Sequence, residues 1–224
     1  MNTYNHIFDC KFIYSGEKEK LGKNEWTLPS PYDKHMGVNI RLLKAFKKVQ
    51  NKYDFYMIAP LSLFVNFKNF IQYLTPLLNY NKPLYGGNFL GRPVGKFNSI
   101  VTQWASYPIL NNQSLNILLK EGVKKKYMDP GSKLLGKHDF ANDVWISTIL
   151  QEHGVQPSQF LKNVAVETYP TEMDNPHIEA EKIRDVYDKY ALIRFRSPRY
   201  EGQNHPEEKK TLLYLLEKVY NKKM

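Results

Sequence analysis

The sequence predicts an α/β fold, a sheet covered by helices with a loop-rich second half, and three observations predict it. Apolar residues switch repeatedly between strand-like runs and three- and four-residue helical steps along residues 6–74. The most continuously apolar stretch, 53–61, follows an amphipathic segment and precedes another. Glycine and proline cluster beyond it, where chain reversals need them. With 224 residues, 42% apolar and 14% aromatic, the chain is rich enough in core-forming residues to fold as one domain spanning 1–224.

Taken in order, residues 6–14 mix β-branched and aromatic side chains (Ile7, Phe8, Phe12, Ile13, Tyr14) and close on Ser15 and Gly16, the pattern of a strand and turn. Residues 17–34 are polar, broken by Pro29 and Pro31, and read as a loop. From His35 a helix is expected, with Leu42, Leu43, Phe46 and Val49 along one side and Arg41, Lys44, Lys47 and Lys48 among them. Segment 53–61 reads as a buried strand. Phe67, Phe70, Ile71 and Leu74 then mark a helix that Pro76 should stop. Pro83, Gly86, Gly87, Gly91, Pro93 and Gly95 make 79–99 a loop-rich zone with short strands. Helices are expected at 114–121, stopped by Gly122, and at 143–153, where Gly154 suits a left-handed C-terminal cap. The last, 207–220, offers Leu212, Leu213, Leu215, Leu216 and Val219 as its apolar side.

The formal charge is +10, from 32 Lys and Arg against 22 Asp and Glu. The basic residues are spread along the chain, and the densest runs (Lys124, Lys125, Lys126 and Lys222, Lys223) are short. That distribution describes a solvated basic face better than a nucleic-acid surface, because positive charge supplies affinity without a reading mechanism. Cys10 stands alone, so no intrachain disulfide and no cysteine-based zinc site is expected. The opening residues carry Asn2, Asn5, His6 and Asp9, unlike a signal peptide, and no run of about 18 apolar residues occurs. A soluble chain with no membrane segment is therefore expected.

The segment from Tyr53, Asp54, Phe55 and Tyr56 through Pro60, Leu61 and Ser62 to Phe64, Val65 and Asn66 resembles a piece of the β-1,3-glycosyltransferases, the galactosyltransferase and Fringe superfamily. In that family an apolar strand runs into consecutive aspartates, then a "vfvN" turn, then a helix carrying "L..yL". Phe64, Val65, Asn66, Ile71, Tyr73 and Leu74 match. The aspartates do not: Pro60, Leu61 and Ser62 stand where the family holds a divalent ion, usually manganese, against the diphosphate of a UDP-sugar.

Asn142, Asp143, Val144, Trp145, Ile146 and Ser147 are similar to the family's "EDVwiG" element. Asp143 falls on the aspartate that takes the proton of the acceptor hydroxyl, while Asn142 replaces a glutamate and Ser147 a glycine. An acid at a helix N-terminus is equally explained by capping and the helix dipole. Tyr85, Gly86, Gly87, Lys96, Phe97, Tyr107 and Pro108 keep the family's order between the two blocks. The Gly-rich segment that should follow is replaced by Ile109, Leu110, Asn111, Asn112, Gln113 and Ser114. The family's first strand and helix also have no counterpart before residue 6.

The resemblance covers about residues 6–160 and implies a GT-A-like (Rossmann-like), N-terminally shortened fold. It implies a relative of the UDP-sugar-dependent β-1,3-hexosyltransferases that is catalytically degenerate and retained for binding or scaffolding. Asp143 is its catalytic candidate, and Pro60, Leu61, Ser62 and Asn66 form a degenerate donor-site turn. No cofactor is expected, with manganese entering only if the family mechanism survives. Partners would be a sugar nucleotide, a glycan or a protein, and active relatives work in the lumen of the secretory pathway. One alternative is an active sugar transferase that stabilises the diphosphate with Lys and Arg instead of metal. A basic nucleic-acid-binding protein rests on charge alone.

Other constellations are weaker. Gly86, Gly87 and Gly91 lack the spacing of a phosphate loop, and His138 with Asp139 or the separate His35, His153, His177 and His205 form no ligand-like spacing. Tyr187, Tyr190 and Phe195 beside Arg194 and Arg196 suit core and snorkelling roles better than stacking on a sugar or base.

Overall fold

Helices and short strands alternate through the chain in a mixed α/β architecture. The computed structural model describes residues 12–14, 25–27, 34–59, 63–87, 90–91, 101–102, 108–128, 142–158, 165–168, 180–195 and 206–220. The strands are β1 (Phe12–Tyr14), β2 (Glu25–Thr27), β3 (Phe55–Met57), β4 (Leu63–Val65), β5 (Tyr85–Gly86), β6 (Leu90–Gly91), β7 (Val101–Thr102), β8 (Ile109–Asn111), β9 (Pro157–Ser158), β10 (Ala165–Thr168) and β11 (Leu192–Phe195). The helices are α1 (Lys34–Val49), α2 (Phe67–Leu74), α3 (Asn112–Glu121), α4 (Lys125–Met128), α5 (Asn142–Glu152), α6 (Ala180–Val186) and α7 (Pro206–Tyr220). They group into two compact units, one from Met1–Ile58 with Asn81–Gln159, the other from Ala59–Tyr80 with Phe160–Met224.

The first unit contains a four-stranded mixed sheet in the order β3-β8-β5-β9. β8 pairs antiparallel with β3 and β5, placing Leu110 opposite Tyr56 and Tyr85, and β5 runs parallel to β9. Its core joins Tyr85 and Leu110 of the sheet to Phe46 of α1, Leu115 and Leu118 of α3, and Trp145, Ile146 and Ile149 of α5. A large apolar side chain buried this completely contributes about 1.5–3 kcal/mol. Two further pairs, parallel β1-β2 and antiparallel β6-β7, belong to the same unit.

The expected loop at 17–34 thus contains β2, which finds its hydrogen bonds on β1. The expected buried strand at 53–61 is shorter than its apolar run: β3 covers only Phe55–Met57, with Tyr56 buried and both neighbours half-buried. β3 lies at a sheet edge, so one flank has no strand to cover it. Pro60 and Leu61 lie outside the described residues.

Two glycines close helices by different physics. Gly154 has φ +79° after α5 and completes a Schellman cap, with Val155 N–H donating to Leu150 O and Gly154 N–H to Gln151 O, both at 3.0 Å. Gly122 after α3 stays right-handed at φ −62°. It is required for space, since a Cβ there would come within 2.7 Å of Leu118 O and 2.8 Å of the Trp145 ring.

The second unit holds the sheet β10-β11-β4, parallel then antiparallel, with α2, α6 and α7. Strand β4 is buried throughout. Helix α2 ends at Leu74, before Pro76 as expected, and the chain then tightens into a 3₁₀ helix, Thr75–Leu77, where proline sits in the first positions and needs no amide donor. Helix α7 buries Glu208, Thr211, Leu215 and Leu216, a helical i, i+3, i+7, i+8 face. Leu213, expected on that side, is exposed. Two polar residues thus occupy positions that an apolar pattern would have claimed.

Candidate functional site

The family-like acid, Asp143, stands in the first turn of α5 and is half-exposed. Its Oδ1 accepts the Val144 N–H at 2.9 Å, and the Asn142 side chain accepts the N–H of Asp143 at 2.9 Å. A carboxylate at this end of a helix is held ionised-side toward the positive pole of the dipole. One helical turn further, Ser147 is fully buried and shares a 2.6 Å hydrogen bond with the Tyr85 hydroxyl of β5. Burial pushes the Tyr85 phenol far above its ordinary range; the Ser147 hydrogen bond opposes the shift and the negative charge of Asp143 adds to it. The phenol therefore stays a neutral hydrogen-bonding group.

Residue 147 belongs to the second family-like block and residue 85 to the stretch between the two blocks, and the fold brings them together. Ser147, which replaces the family's glycine, uses its extra hydroxyl to bind Tyr85. The segment without glycines also has a structural account. Ile109–Asn111 is the strand β8, and it passes into α3 with no intervening loop. Asn111 caps α3 by accepting the Ser114 N–H at 3.1 Å, while its Oδ1 and Nδ2 also bind Leu84 N–H and Lys82 O at 3.0 and 2.8 Å. Asn112 is held between Tyr53 O and the Tyr56 hydroxyl.

Asn66 belongs to the second unit and works as a buried cap. Its side chain accepts the Asn69 N–H at 3.5 Å, a long contact, and its own N–H donates to Ala191 O at 2.8 Å. Asn69 in turn donates through Nδ2 to Tyr190 O at 3.2 Å. The junction between β4 and α2 is therefore tied to the approach to β11. The Tyr220 hydroxyl of α7 donates to Val65 O and accepts the Phe67 N–H. Pro60, Leu61 and Ser62 lie outside the described residues. Proline and leucine side chains carry no atom that can ligate manganese and a single serine hydroxyl is a poor substitute for carboxylates, so these three residue types do not fit a manganese site. Among the described residues no group of three His, Cys, Asp or Glu is placed to hold a metal ion.

Sequence reading missed one polar network in the first unit. Glu121, buried at the end of α3, pairs with Lys124 at 2.5 Å and His153 Nε2 at 2.9 Å. The Lys124 hydrogen bond holds its carboxyl below the usual range against the opposing effect of burial, and His153 adds to the lowering. Beside it the Tyr127 hydroxyl donates to Glu152, whose Oε2 also pairs with Lys126 at 2.9 Å. Burial first, and then the Glu152 carboxylate, push the Tyr127 phenol up to about 12. With the Trp145 indole donating to Tyr127 O at 3.0 Å, these bonds join α4 and the end of α3 to α5 and the residue that follows it. The pairs that cross between helices, Lys126 with Glu152 and Glu121 with His153, are 26 and 32 positions apart and give no local signal in a sequence, which is why the network was not legible there. Phe195 is buried in β11, in the core role expected of it, and Lys218 Nζ lies 5.3 Å over the Tyr187 ring.

Models of known protein families match no part of the chain, and no curated protein matches it significantly. No helix among the described residues is long and apolar enough to cross a membrane.

Proposed function

We propose that the chain is a glycosyltransferase-like domain related to the UDP-sugar-dependent β-1,3-hexosyltransferases, with a GT-A-like fold, in which donor chemistry is lost and glycan binding is kept. The observation that carries the reading is the half-exposed Asp143 one helical turn before Ser147, whose hydroxyl is bonded to Tyr85 from the family-like stretch between the two blocks. The carboxylate retains what an acceptor site needs, an oxygen able to accept a sugar hydroxyl. The turn at Pro60, Leu61 and Ser62 lacks what a donor site needs, because nothing there can offset the charge of a departing diphosphate. The Asn111 and Asn112 contacts at the β8–α3 junction support the same division, since side chains tied to Lys82 O and Tyr53 O stand where the resemblance implies glycines.

Calorimetric titration with UDP- and GDP-hexoses, with and without manganese, tests the donor half. The reading expects no manganese-dependent binding and no release of UDP in the presence of a hexose-terminated acceptor. Manganese-dependent binding with turnover would refute it and restore an active transferase.

A further inference from the structure

In the second unit, helix α7 packs against α6, β11 and β4, and its inner side carries Glu208, Thr211, Leu215 and Leu216. Glu208, close to the start of the helix, is 8% exposed, yet among the described residues its carboxyl makes no ion pair and no hydrogen bond. The next polar group on that side, the Thr211 hydroxyl, is fully buried and likewise without a hydrogen-bond partner among the described residues. The charged groups on the elements packed against α7 are Glu181, Lys182, Arg184 and Asp185 of α6 and Arg194 of β11, while β4 has none, and none of them pairs with Glu208. Its neighbours on α7, Lys209 and Lys210, are exposed. Burial raises the carboxyl from 4.5 to about 7, outweighing the preference of a helix start for an anion. The far end of α7 is held differently: the Tyr220 hydroxyl donates to Val65 O and accepts the Phe67 N–H, and its ring lies 6.2 and 5.9 Å from those of Phe64 and Phe67.

We propose that the first two turns of α7 form a proton-gated flap on the sheet β10-β11-β4, lying down while Glu208 is protonated and swinging into water when it ionises, with Leu215, Leu216 and Tyr220 keeping the rest of the helix in place. A neutral carboxyl is buried at modest cost, whereas a buried anion with neither a cation nor a donor beside it is costly. Relief is cheapest where the fewest contacts must break, and Glu208 stands in the opening turns of its helix rather than at its centre. The far half does not answer to the same proton. Leu215 and Leu216 hold it by apolar burial, and burial raises the Tyr220 phenol to about 12, so its bonds to the β4–α2 junction persist through neutral pH. The inference does not depend on the glycosyltransferase-like reading, since neither Asp143 nor the turn at 60–62 takes part.

Amide-resolved hydrogen exchange of the full chain at about pH 6 and about pH 8, corrected for the intrinsic rates, tests it. The amides of residues 210–213 bond to carbonyls of the first turn and report the flap, and those of 216–220 report the held end. The expected result is a fall of about tenfold in the protection of 210–213 between the two pH values, the shift in opening that follows from a carboxyl moved from 4.5 to about 7, with 216–220 little changed. Glu208→Gln, a neutral stand-in for the protonated acid, should keep its protection at both. Unchanged protection of 210–213 in the parent would overturn the proposal. So would an equal fall at both ends, which would mean that the helix is lost as a whole, or the same fall in a folded Glu208→Gln. If that variant does not fold, the parent's own comparison of the two ends decides the matter.

Discussion

The hydroxyl pair of Tyr85 and Ser147 lies in a place where neither group can be exchanged without consequence. Both are fully buried, and their 2.6 Å bond replaces two bonds to water. Tyr85→Phe should cost about 0.5–1.5 kcal/mol, and a double-mutant cycle with Ser147→Ala should show positive coupling. Additive losses in urea denaturation would remove the bond as a stabilising contact. Glu208 on α7 makes a second residue-scale prediction. Burial raises its carboxyl from 4.5 to about 7. The folded state therefore holds the proton more tightly than the unfolded one, and this contribution to stability is full below pH 4.5 and lost as pH rises through about 7. Replacing the group with neutral Gln should remove that part of the dependence, so the stability difference between Glu208→Gln and the parent should grow in favour of the variant between those pH values. A constant difference across the range would contradict the assignment.

At the scale of elements, the β4–α2 junction shows how a short strand is held. Phe64 is fully buried at the centre of β4, its ring 6.2 Å from that of Tyr220, and Tyr220 ties the neighbouring backbone through Val65 and Phe67. Phe64→Ala should cost about 3–5 kcal/mol in chemical denaturation, since it empties a packed site bounded by strand and helix. A denaturation curve overlaying the parent's would show that the ring is not part of the core. The elements that were legible beforehand are those with strong local signals. Helix α1 announces itself by Leu42, Leu43, Phe46 and Val49, and the end of α5 by Gly154. β10, α6 and β11 were not recognised. Ala165–Thr168 and Leu192–Phe195 are four residues each, too short for a period to emerge, and each is specified by its partner across the sheet. The face of α7 misled for another reason: Glu208 and Thr211 are buried by tertiary packing, which hydropathy does not record.

Over the whole molecule, the sequence conveyed the α/β class through alternating patterns, whereas the division into two compact units depends on which distant segments pack, as when residues 59–80 join residues 160–224. The candidate site was legible in part. Asp143 was visible from its motif, but the Tyr85–Ser147 bond spans 62 positions and the asparagine contacts of β8 and α3 span 27 to 59. Such contacts are properties of the fold, not of a local pattern. Hexose-terminated glycan binding by the parent and by Asp143→Asn, measured in the absence of manganese, tests the proposal of a glycan-binding domain that has lost donor chemistry. Asparagine can still accept the Val144 N–H, so the fold should persist while a charge-assisted bond to a sugar hydroxyl is lost. The account predicts manganese-independent binding by the parent, weakened about 10- to 100-fold in the variant, corresponding to about 1.5–3 kcal/mol. Absence of glycan binding by the parent, or equal binding by both proteins, would contradict it.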